Sequence, residues 1–179
     1  MKINIGSGFK RIDGFINVDN FQGCKPDFLC DIEKDRLPFE DNSVSYVTAH
    51  HILEHTHDIF HVMRELYRVC KDGAVLDIRV PHPRHDTFLI DPTHVRPIYP
   101  HTMSMFGKKH NLKDIEAGGC ETPIALIHDV DFEMTKFDFN LDPFYVKVFQ
   151  EFENHECDFI ARSQNNVVME IQMFMKVVK

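Results

Sequence analysis

The chain of 179 residues lacks several features that would assign it to a simple class of protein. No apolar run approaches the ~20 residues of a membrane-spanning helix, so no membrane partner is expected. The first strand-like run follows Met1 almost at once, which leaves no room for a signal peptide. The five cysteines form no Cys-x-x-Cys pair. Reduced thiols are the simplest interpretation, and they predict a cytoplasmic location.

Positive charge is also scarce in this sequence. The formal net charge of -8 at pH 7 argues against tight, nonspecific binding to a phosphate backbone, and no nucleic-acid partner is expected. Hydrophobic content of 43% and charged content of 27% are ordinary for a soluble globular protein. No internal repeat or linker divides the chain, so one domain over residues 1–179 is expected. Histidine, with twelve residues, is the one compositional excess.

The first half of the chain alternates strand-like runs with one clear helix. Strands are predicted at residues 2–5, 15–18, 28–30, 44–49 and 74–80. A helix is predicted from Asp58, as N-cap, to about Lys71, with Gly73 in the position of a C-terminal cap. The residues between the first two strands are too few for a proper crossover helix, so this connection must be cramped.

The second half of the chain changes character after Pro81. Residues 82–123 are rich in His, Pro, Asp and Gly, which predicts a long, partly structured and functional loop region. Residues 130–139 are strand-like, with a change of phase near Lys136 that indicates a bulge. Residues 158–161 and 167–177 predict a hairpin whose second strand has one buried face. An α/β part is therefore followed by antiparallel strands.

Two glycines and two acids mark a ligand-binding edge of the predicted sheet. Gly6 and Gly8 follow the first strand, where the absence of a Cβ lets backbone approach a ligand. Asp19 ends the second strand, and Asp31 follows the third. In open α/β sheets ligands bind beyond the carboxyl ends of the strands, and such an acid accepts hydrogen bonds from ribose hydroxyls. Each acid alone is more often a turn or cap residue, but together they favour a nucleotide-type site.

The ordered motifs over roughly residues 2–100 resemble the class I methyltransferases that use S-adenosylmethionine. The motifs are Asn-Ile-Gly-Ser-Gly at 4–8, Asn-Val-Asp at 17–19, Leu-Pro-Phe-Glu-Asp-Asn-Ser at 37–43, His-Ile-Leu-Glu-His at 51–55, and Glu-Leu-Tyr-Arg-Val-Cys-Lys-Asp-Gly at 65–73. The resemblance implies a doubly wound, Rossmann-like α/β fold, mostly parallel with antiparallel C-terminal strands. It also implies methyl transfer to oxygen or nitrogen of a small molecule or sugar. Two glycines stand where the fuller family pattern has three.

The same resemblance implies roles for individual residues. The implied cofactor-binding residues are Gly6, Ser7, Gly8, Asp19, Asn20, Asp31, Ile32 and His50. The glycine loop would line the methionine part of S-adenosylmethionine, and the acid after the second strand would hold the ribose. The acid after the third strand, with the backbone beside it, would contact adenine. The histidine that ends the fourth strand would lie near the sulfonium.

Three further histidines are candidates for a catalytic base. Methyl transfer from a sulfonium is a direct displacement, so a base is needed only if the acceptor must lose a proton. His51 and His55 follow the strand closest to the transferred methyl, and His94 lies on a loop that should cover the pocket. Residues 82–96, and His94 in particular, are predicted to face the acceptor, with Arg96 among the polar contacts. A proline-rich surface connection is the alternative interpretation of this loop.

Other interpretations of the same residues stay open. His51-x-x-Glu54-His55 is formally the pattern of a group of zinc peptidases, but that pattern needs a helix, and we expect that no metal is required. The stretch also resembles the position where ubiquinone-pathway O-methyltransferases hold a divalent ion. There His51 replaces an acid, which disfavours magnesium and makes a transition metal easier to accept. The cramped first crossover would also fit a catalytically degenerate binding module.

Overall fold

The computed structural model describes residues 1–179 and contains one seven-stranded sheet. The strands are β1 Lys2–Ile5, β2 Ile16–Asp19, β3 Phe28–Leu29, β4 Val44–His50, β5 Cys70–Pro81, β6 Phe132–Leu141 and β7 Val168–Val177. Their order in the sheet is β3-β2-β1-β4-β5-β7-β6. The first five strands are parallel, and β7 is antiparallel to both neighbours. The predicted α/β fold is confirmed.

Helices follow mainly in the second half of the chain. They are α1 Ile59–Val69, α2 Asp86–Leu89, α3 Pro100–Ser104, α4 Lys108–Glu116, α5 Ile124–His128, α6 Pro143–Val148 and α7 Asn154–Ser163, with 3-10 turns at Gln22–Cys24, Leu53–His55 and Phe149–Glu151. None of the helices has the length and apolar character needed to cross a membrane. The region 82–123 is partly structured, as predicted.

Helix α1 begins where the sequence predicts and ends earlier. The Asp58 carboxylate accepts a hydrogen bond from the backbone N–H of His61 at 2.9 Å, which confirms the N-cap. The predicted C-terminal cap is wrong, because the helix ends at Val69 and Gly73 lies inside β5. Cys70 already pairs with Val44 of β4, so the sheet takes the residues that would form the last helical turn.

The predicted hairpin at the end of the chain is also wrong in its first strand. Residues 158–161 lie inside α7, and the hairpin partner of β7 is β6. The half-buried residues of α7 are Cys157, Ile160 and Ala161, which have the i, i+3, i+4 spacing of a helix. Glu153 and Glu156 form a capping box at its start. The predicted bulge is confirmed, since the register of β6 shifts between Met134 and Lys136.

The two faces of the sheet differ in polarity. The row Ile3, Val47 and Leu76 belongs to the buried core, together with the apolar residues of α1. The next row, on the opposite face, is Asn4, Thr48 and Asp77. No α-helix connects β1 to β2 or β2 to β3. The cramped first crossover is therefore confirmed, and residues 6–15 pack on the polar face in place of a helix.

Buried asparagines hold this short connection. Asn17 Oδ1 accepts hydrogen bonds from the Ile12 N–H at 2.9 Å and from Asn4 Nδ2 at 3.0 Å. Asn17 Nδ2 donates to the Phe15 carbonyl at 3.1 Å, and Asn4 Nδ2 also donates to the Lys10 carbonyl. Both asparagine side chains are buried. Because backbone groups of the connection find partners on the strands, the chain passes from β1 to β2 without a helix.

Candidate active site

The glycine loop is closed onto the carboxyl end of β2. The Ser7 N–H donates to the Val18 carbonyl at 3.1 Å, and the Gly8 N–H donates to Asp19 Oδ2 at 2.8 Å. Gly6 has a φ of +60°, and a Cβ on it would lie 2.5 Å from Ile52 Cγ1. Glycine is required at that position for both conformation and space. The loop therefore presents bare backbone at the edge of the sheet.

Several polar atoms near this loop have no hydrogen-bond partner in the protein. They are Ser7 Oγ, Arg79 Nε and His50 Nε2, and the Ile32 N–H is also free. His50 Nε2 lies 3.3 Å from Asp77 Oδ2, without the geometry of a hydrogen bond. The loop, His50, His51, Arg79 and Glu170 line a cavity of about 600 Å³. Buried polar groups are normally paired, so these atoms are available to a ligand.

The two acids of the site each have local contacts as well. Asp19 accepts from Gly8 and, through Oδ1, from the Phe21 N–H at 2.9 Å. Asp31 accepts from Lys34 Nζ at 2.7 Å and from the Glu33 N–H at 3.1 Å. The Lys34 ammonium lowers the pKa of the Asp31 carboxyl, which is ionised at neutral pH. Carboxylate oxygens have further lone pairs, so the turn contacts do not use up their capacity to bind a ligand.

Asn20 and Ile32 flank these acids. The Asn20 side chain is exposed and makes no hydrogen bond within the protein. The Ile32 side chain is buried in the core, so only its backbone faces the edge of the sheet. The cofactor roles predicted for Asn20 and Ile32 would therefore use the Asn20 side chain and the Ile32 backbone N–H, neither of which has a partner in the protein.

His51 lies between two carboxylates. Its backbone φ is +53°, its Nε2 is 2.8 Å from Glu170 Oε2, and its Nδ1 is 3.5 Å from Glu54 Oε1. The hydrogen bond with Glu170, assisted by Glu54, raises the pKa of His51 to about 9. The imidazole is then protonated at neutral pH. The prediction of His51 as a general base conflicts with this charge, because an imidazolium donates hydrogen bonds and accepts no proton.

His55 and His94 lie together on the other side of Glu54. Their ring centroids are 4.6 Å apart, and His94 Nε2 is 3.9 Å from Glu54 Oε1. His55 Nδ1 is 2.8 Å from Thr93 Oγ1, and His94 Nδ1 is 2.8 Å from the Phe88 carbonyl. The set Glu54, His55 and His94 is thus assembled from two segments, and His51 meets Glu54 from the side of Glu170.

The loop 91–96 is fixed to the turn that follows β4. The N–H groups of Val95 and Arg96 both donate to the Glu54 carbonyl, at 3.0 and 3.2 Å. The Arg96 guanidinium donates to the His57 carbonyl at 2.7 Å. The Arg96 guanidinium thus satisfies carbonyl groups of residues 56 and 57, and its predicted contact with an acceptor stays a prediction.

His94 borders a smaller cavity, as the prediction of an acceptor-facing position requires. This cavity has a volume of about 170 Å³ and is lined by His51, Pro81, Thr87, His94, Met169 and Glu170. Sequence reasoning missed Glu170, which it counted only as a solvent-facing residue of the last strand. A usable signal exists, because an antiparallel strand paired with β5 begins at the edge where the parallel strands end. Glu170 pairs in register with Pro81 at that edge.

Comparison with known proteins gives both a family and a set of similar structures. Residues 16–78 match the family described as a methyltransferase domain. The fold is similar to that of an S-adenosylmethionine-dependent methyltransferase from Archaeoglobus fulgidus, with a TM-score of 0.62 and 18% identity over 98% of this chain and 85% of that one. No curated protein sequence matches.

Two further solved structures are similar. A putative S-adenosylmethionine-dependent methyltransferase from Listeria monocytogenes gives a TM-score of 0.56 and 9% identity, covering 99% of this chain and 91% of that one. Phosphoethanolamine N-methyltransferase 2 from Haemonchus contortus, in complex with S-adenosylmethionine, gives a TM-score of 0.52 and 14% identity, covering 99% of this chain and 48% of that one. At these identities the structural likeness concerns the fold.

Proposed function

We propose that this chain is a class I S-adenosylmethionine-dependent methyltransferase, and that it transfers a methyl group to oxygen or nitrogen of a small molecule or sugar. The observation that supports the proposed binding site best is the 2.8 Å hydrogen bond between the Gly8 N–H and Asp19 Oδ2. It brings the glycine loop and the predicted ribose acid together at one edge of the sheet. We also propose that residues 1–179 form one domain. The five free cysteines are consistent with reduced thiols, and we propose a cytoplasmic location.

The free groups at this edge fit S-adenosylmethionine. Gly8 faces open space, since a Cβ built on it meets nothing within 4 Å, and the free Ser7 hydroxyl lies in the same loop. At the end of β3, an ionised Asp31 and the free Ile32 N–H suit the amino group and a ring nitrogen of adenine. The cofactor supplies a methyl group that is activated on a positively charged sulfur.

The protein's part in the reaction is then mainly positional. His50 and the glycine loop would hold one side of the cavity, and His51 and Glu170 would meet the acceptor from the other side. His51, as a cation, can donate a hydrogen bond to an acceptor oxygen while Glu170 keeps it oriented. His55 and His94 remain the candidates for a base, since His94 borders the smaller cavity.

Titration calorimetry with S-adenosylhomocysteine tests the binding site. We expect Asp19→Ala to lose about 1.5–3 kcal/mol of binding free energy, the usual value for hydrogen bonds to a charged group. Asp58→Ala, which removes only the N-cap of α1, is the matched control and should bind like wild type. Equal affinity of wild type and Asp19→Ala would contradict the proposed site.

A second candidate is a degenerate module that binds the cofactor without turnover. The absence of an α-helix between β1 and β2 favours it. Release of S-adenosylhomocysteine, measured with a panel of small hydroxyl, amine and sugar acceptors, separates the two functions. Binding without turnover on any acceptor supports the module, whereas turnover with one acceptor class supports the enzyme and identifies its substrate.

A further inference from the structure

The Glu54 carboxylate is buried without a partner. Its side chain is 1% exposed, and neither oxygen accepts a hydrogen bond. The nearest cationic candidates are His51 Nδ1 at 3.5 Å and His94 Nε2 at 3.9 Å, both without hydrogen-bond geometry. Burying an ionised carboxylate without a hydrogen-bond donor is strongly unfavourable. The one cation nearby, the His51 imidazolium, is already hydrogen-bonded to Glu170 at 2.8 Å, so it faces two carboxylates. A second positive group is therefore required to balance both charges in the functional protein.

The hydrogen bonds of the two neighbouring histidines fix their tautomers. His94 Nδ1 faces the Phe88 carbonyl, which only accepts, so Nδ1 carries the hydrogen and the neutral ring has its lone pair on Nε2. Thr93 gives its hydroxyl hydrogen to Asp91 Oδ1 at 2.6 Å, so it accepts from His55 Nδ1. Both Nε2 atoms are left with lone pairs. Metal-bound histidines have this arrangement, with the second ring nitrogen held by a carbonyl or a carboxylate-linked group.

We infer that Glu54, His55 and His94 bind a transition-metal ion with the preferences of Zn²⁺. One ligand atom from each lies within 4.8 Å of the others. Tetrahedral zinc, with bonds of about 2.0–2.2 Å, separates its ligands by about 3.3–3.5 Å, so small side-chain rotations complete the site. Two imidazoles and one carboxylate suit zinc and do not suit magnesium. A bound ion would take the Nε2 lone pairs of both rings, so His55 and His94 would then be ligands and could not serve as the general base. The expectation from the sequence is that no metal is required, and this ligand set differs from the His51-x-x-Glu54-His55 pattern.

The site joins two parts of the chain that the backbone already aligns. Glu54 and His55 belong to the turn after β4, and His94 belongs to the loop 91–96, whose Val95 N–H donates to the Glu54 carbonyl. Three protein ligands leave one position open. Because His94 borders the smaller cavity, that position lies on the acceptor side. If the proposed function holds, a hydroxyl oxygen of the acceptor is the group this position would take.

A second cluster in the chain serves as an internal control. His101, His110 and Glu121 also place ligand atoms within 4.8 Å of one another. In this cluster both Glu121 oxygens already have partners. Glu121 Oε1 lies 2.6 Å from His101 Nε2, and Glu121 Oε2 lies 2.8 Å from His110 Nε2. His101 is also exposed. This cluster has no unbalanced buried charge, so it gives no reason to expect a metal.

Titration of the metal-free full-length chain with Zn²⁺ tests the inference. We expect wild type to bind about one equivalent and to unfold at a higher temperature with the ion than without it. Glu54→Gln and His94→Gln should lose both effects. Thr93→Val, which removes the hydroxyl that links His55 to Asp91, should weaken binding by about 10–100-fold. His101→Ala should bind like wild type. Co²⁺ should give the visible absorption of a low-symmetry site in wild type and none in Glu54→Gln.

The unfolding temperatures of metal-free wild type and metal-free Glu54→Gln test whether Glu54 has a purely structural role. If its carboxylate only pairs with the His51 imidazolium or with a charged His94, Glu54→Gln will unfold at a lower temperature than metal-free wild type. If it is a ligand, removal of an unbalanced charge leaves that temperature unchanged or raises it. Failure of wild type to bind Zn²⁺, or loss of binding in His101→Ala with retention in Glu54→Gln, overturns the inference. Calorimetry with S-adenosylhomocysteine on the same samples separates this failure from failure of the proposed function. If Glu54→Gln does not fold, His94→Gln carries the test.

Discussion

At the residue scale, Gly6 is the position of the glycine loop that least tolerates a side chain. Its φ of +60° disfavours any side chain, and a Cβ built on it would lie 2.5 Å from the Ile52 side chain. We expect Gly6→Ala to lose roughly 2–5 kcal/mol of unfolding free energy, from about 1–2 for the left-handed conformation and about 1–3 for overpacking. Urea unfolding measures the loss.

Gly8→Ala is the matched control for this prediction. Gly8 has a φ of +50°, but a built Cβ meets nothing within 4 Å. Only the conformational cost of about 1–2 kcal/mol should therefore remain. Equal losses in the two variants would contradict the steric role of Ile52.

At the element scale, the connection 6–15 depends on Asn17 in place of a helix. Asn17→Ala leaves the Ile12 N–H without its acceptor and removes one of the two acceptors of Asn4 Nδ2. We expect a loss of about 1–3 kcal/mol of unfolding free energy. We also expect weaker binding of S-adenosylhomocysteine, because Gly8 belongs to the same connection. Asn165→Ala, at an exposed position, is the control. Calorimetry that gives wild-type affinity for Asn17→Ala would separate this network from the binding loop.

Helix α1 and the turn at 37–39 are joined by a charge cluster with a predictable pH dependence. Arg68 donates to Glu65 at 2.7 Å and to the carbonyl groups of Leu37 and Phe39 at 3.0 and 2.9 Å. The hydrogen bond from Arg68 lowers the pKa of Glu65 from its usual 4.5. A carboxyl whose pKa is lowered by folding stabilises the protein above its unfolded pKa. That contribution is lost as the pH falls through the folded value.

Glu65→Gln tests this cluster. At pH 7 we expect the variant to lose about 1.5–3 kcal/mol of unfolding free energy, because an amide cannot pair with the guanidinium charge. The difference from wild type should shrink steadily as the pH falls below 4.5. Glu116→Gln, at an exposed position on α4, should show no such trend. A difference that stays constant with pH would rule out the ionic origin.

At the scale of the whole molecule, stability is distributed unevenly. The segment 143–163, which contains α6 and α7, has no buried residue, whereas α1 has five. Segments with few buried contacts open with low free energy. Hydrogen exchange followed by mass spectrometry should therefore show fast exchange in 143–163 and slow exchange in α1, β5 and β7. Equal protection of α7 and α1 would show that another surface covers this segment.

The polar face of the sheet is also a property of the whole molecule. The row that contains Asn4, Thr48 and Asp77 could have been found in the sequence, since each is a polar residue inside a strand pattern. Its meaning depends on strand order, because only the pairing of β1 with β4 and of β4 with β5 brings these residues side by side. No α-helix connects β1 to β2 or β2 to β3, and the polar row on this face does not need an apolar helix to cover it.

The sequence by itself determined the features that local chemistry encodes. Alternating apolar residues predicted the strands, and a helix cap at Asp58 and a change of phase near Lys136 were confirmed. These features depend on residues within a few positions of one another. For the same reason the glycine loop and the acid after β2 could be placed at one edge before their hydrogen bond was known.

Tertiary structure alone decided the contacts between distant segments. His51 and Glu170 are 119 residues apart, and their pairing follows from the register of β7 against β5. The grouping of Glu54 with His94, the hydrogen bond from Arg96 to the His57 carbonyl and the inclusion of Gly73 in β5 likewise depend on packing between elements. Local propensity is worth less than about 1 kcal/mol per residue, so strand pairing and burial override it wherever the two compete.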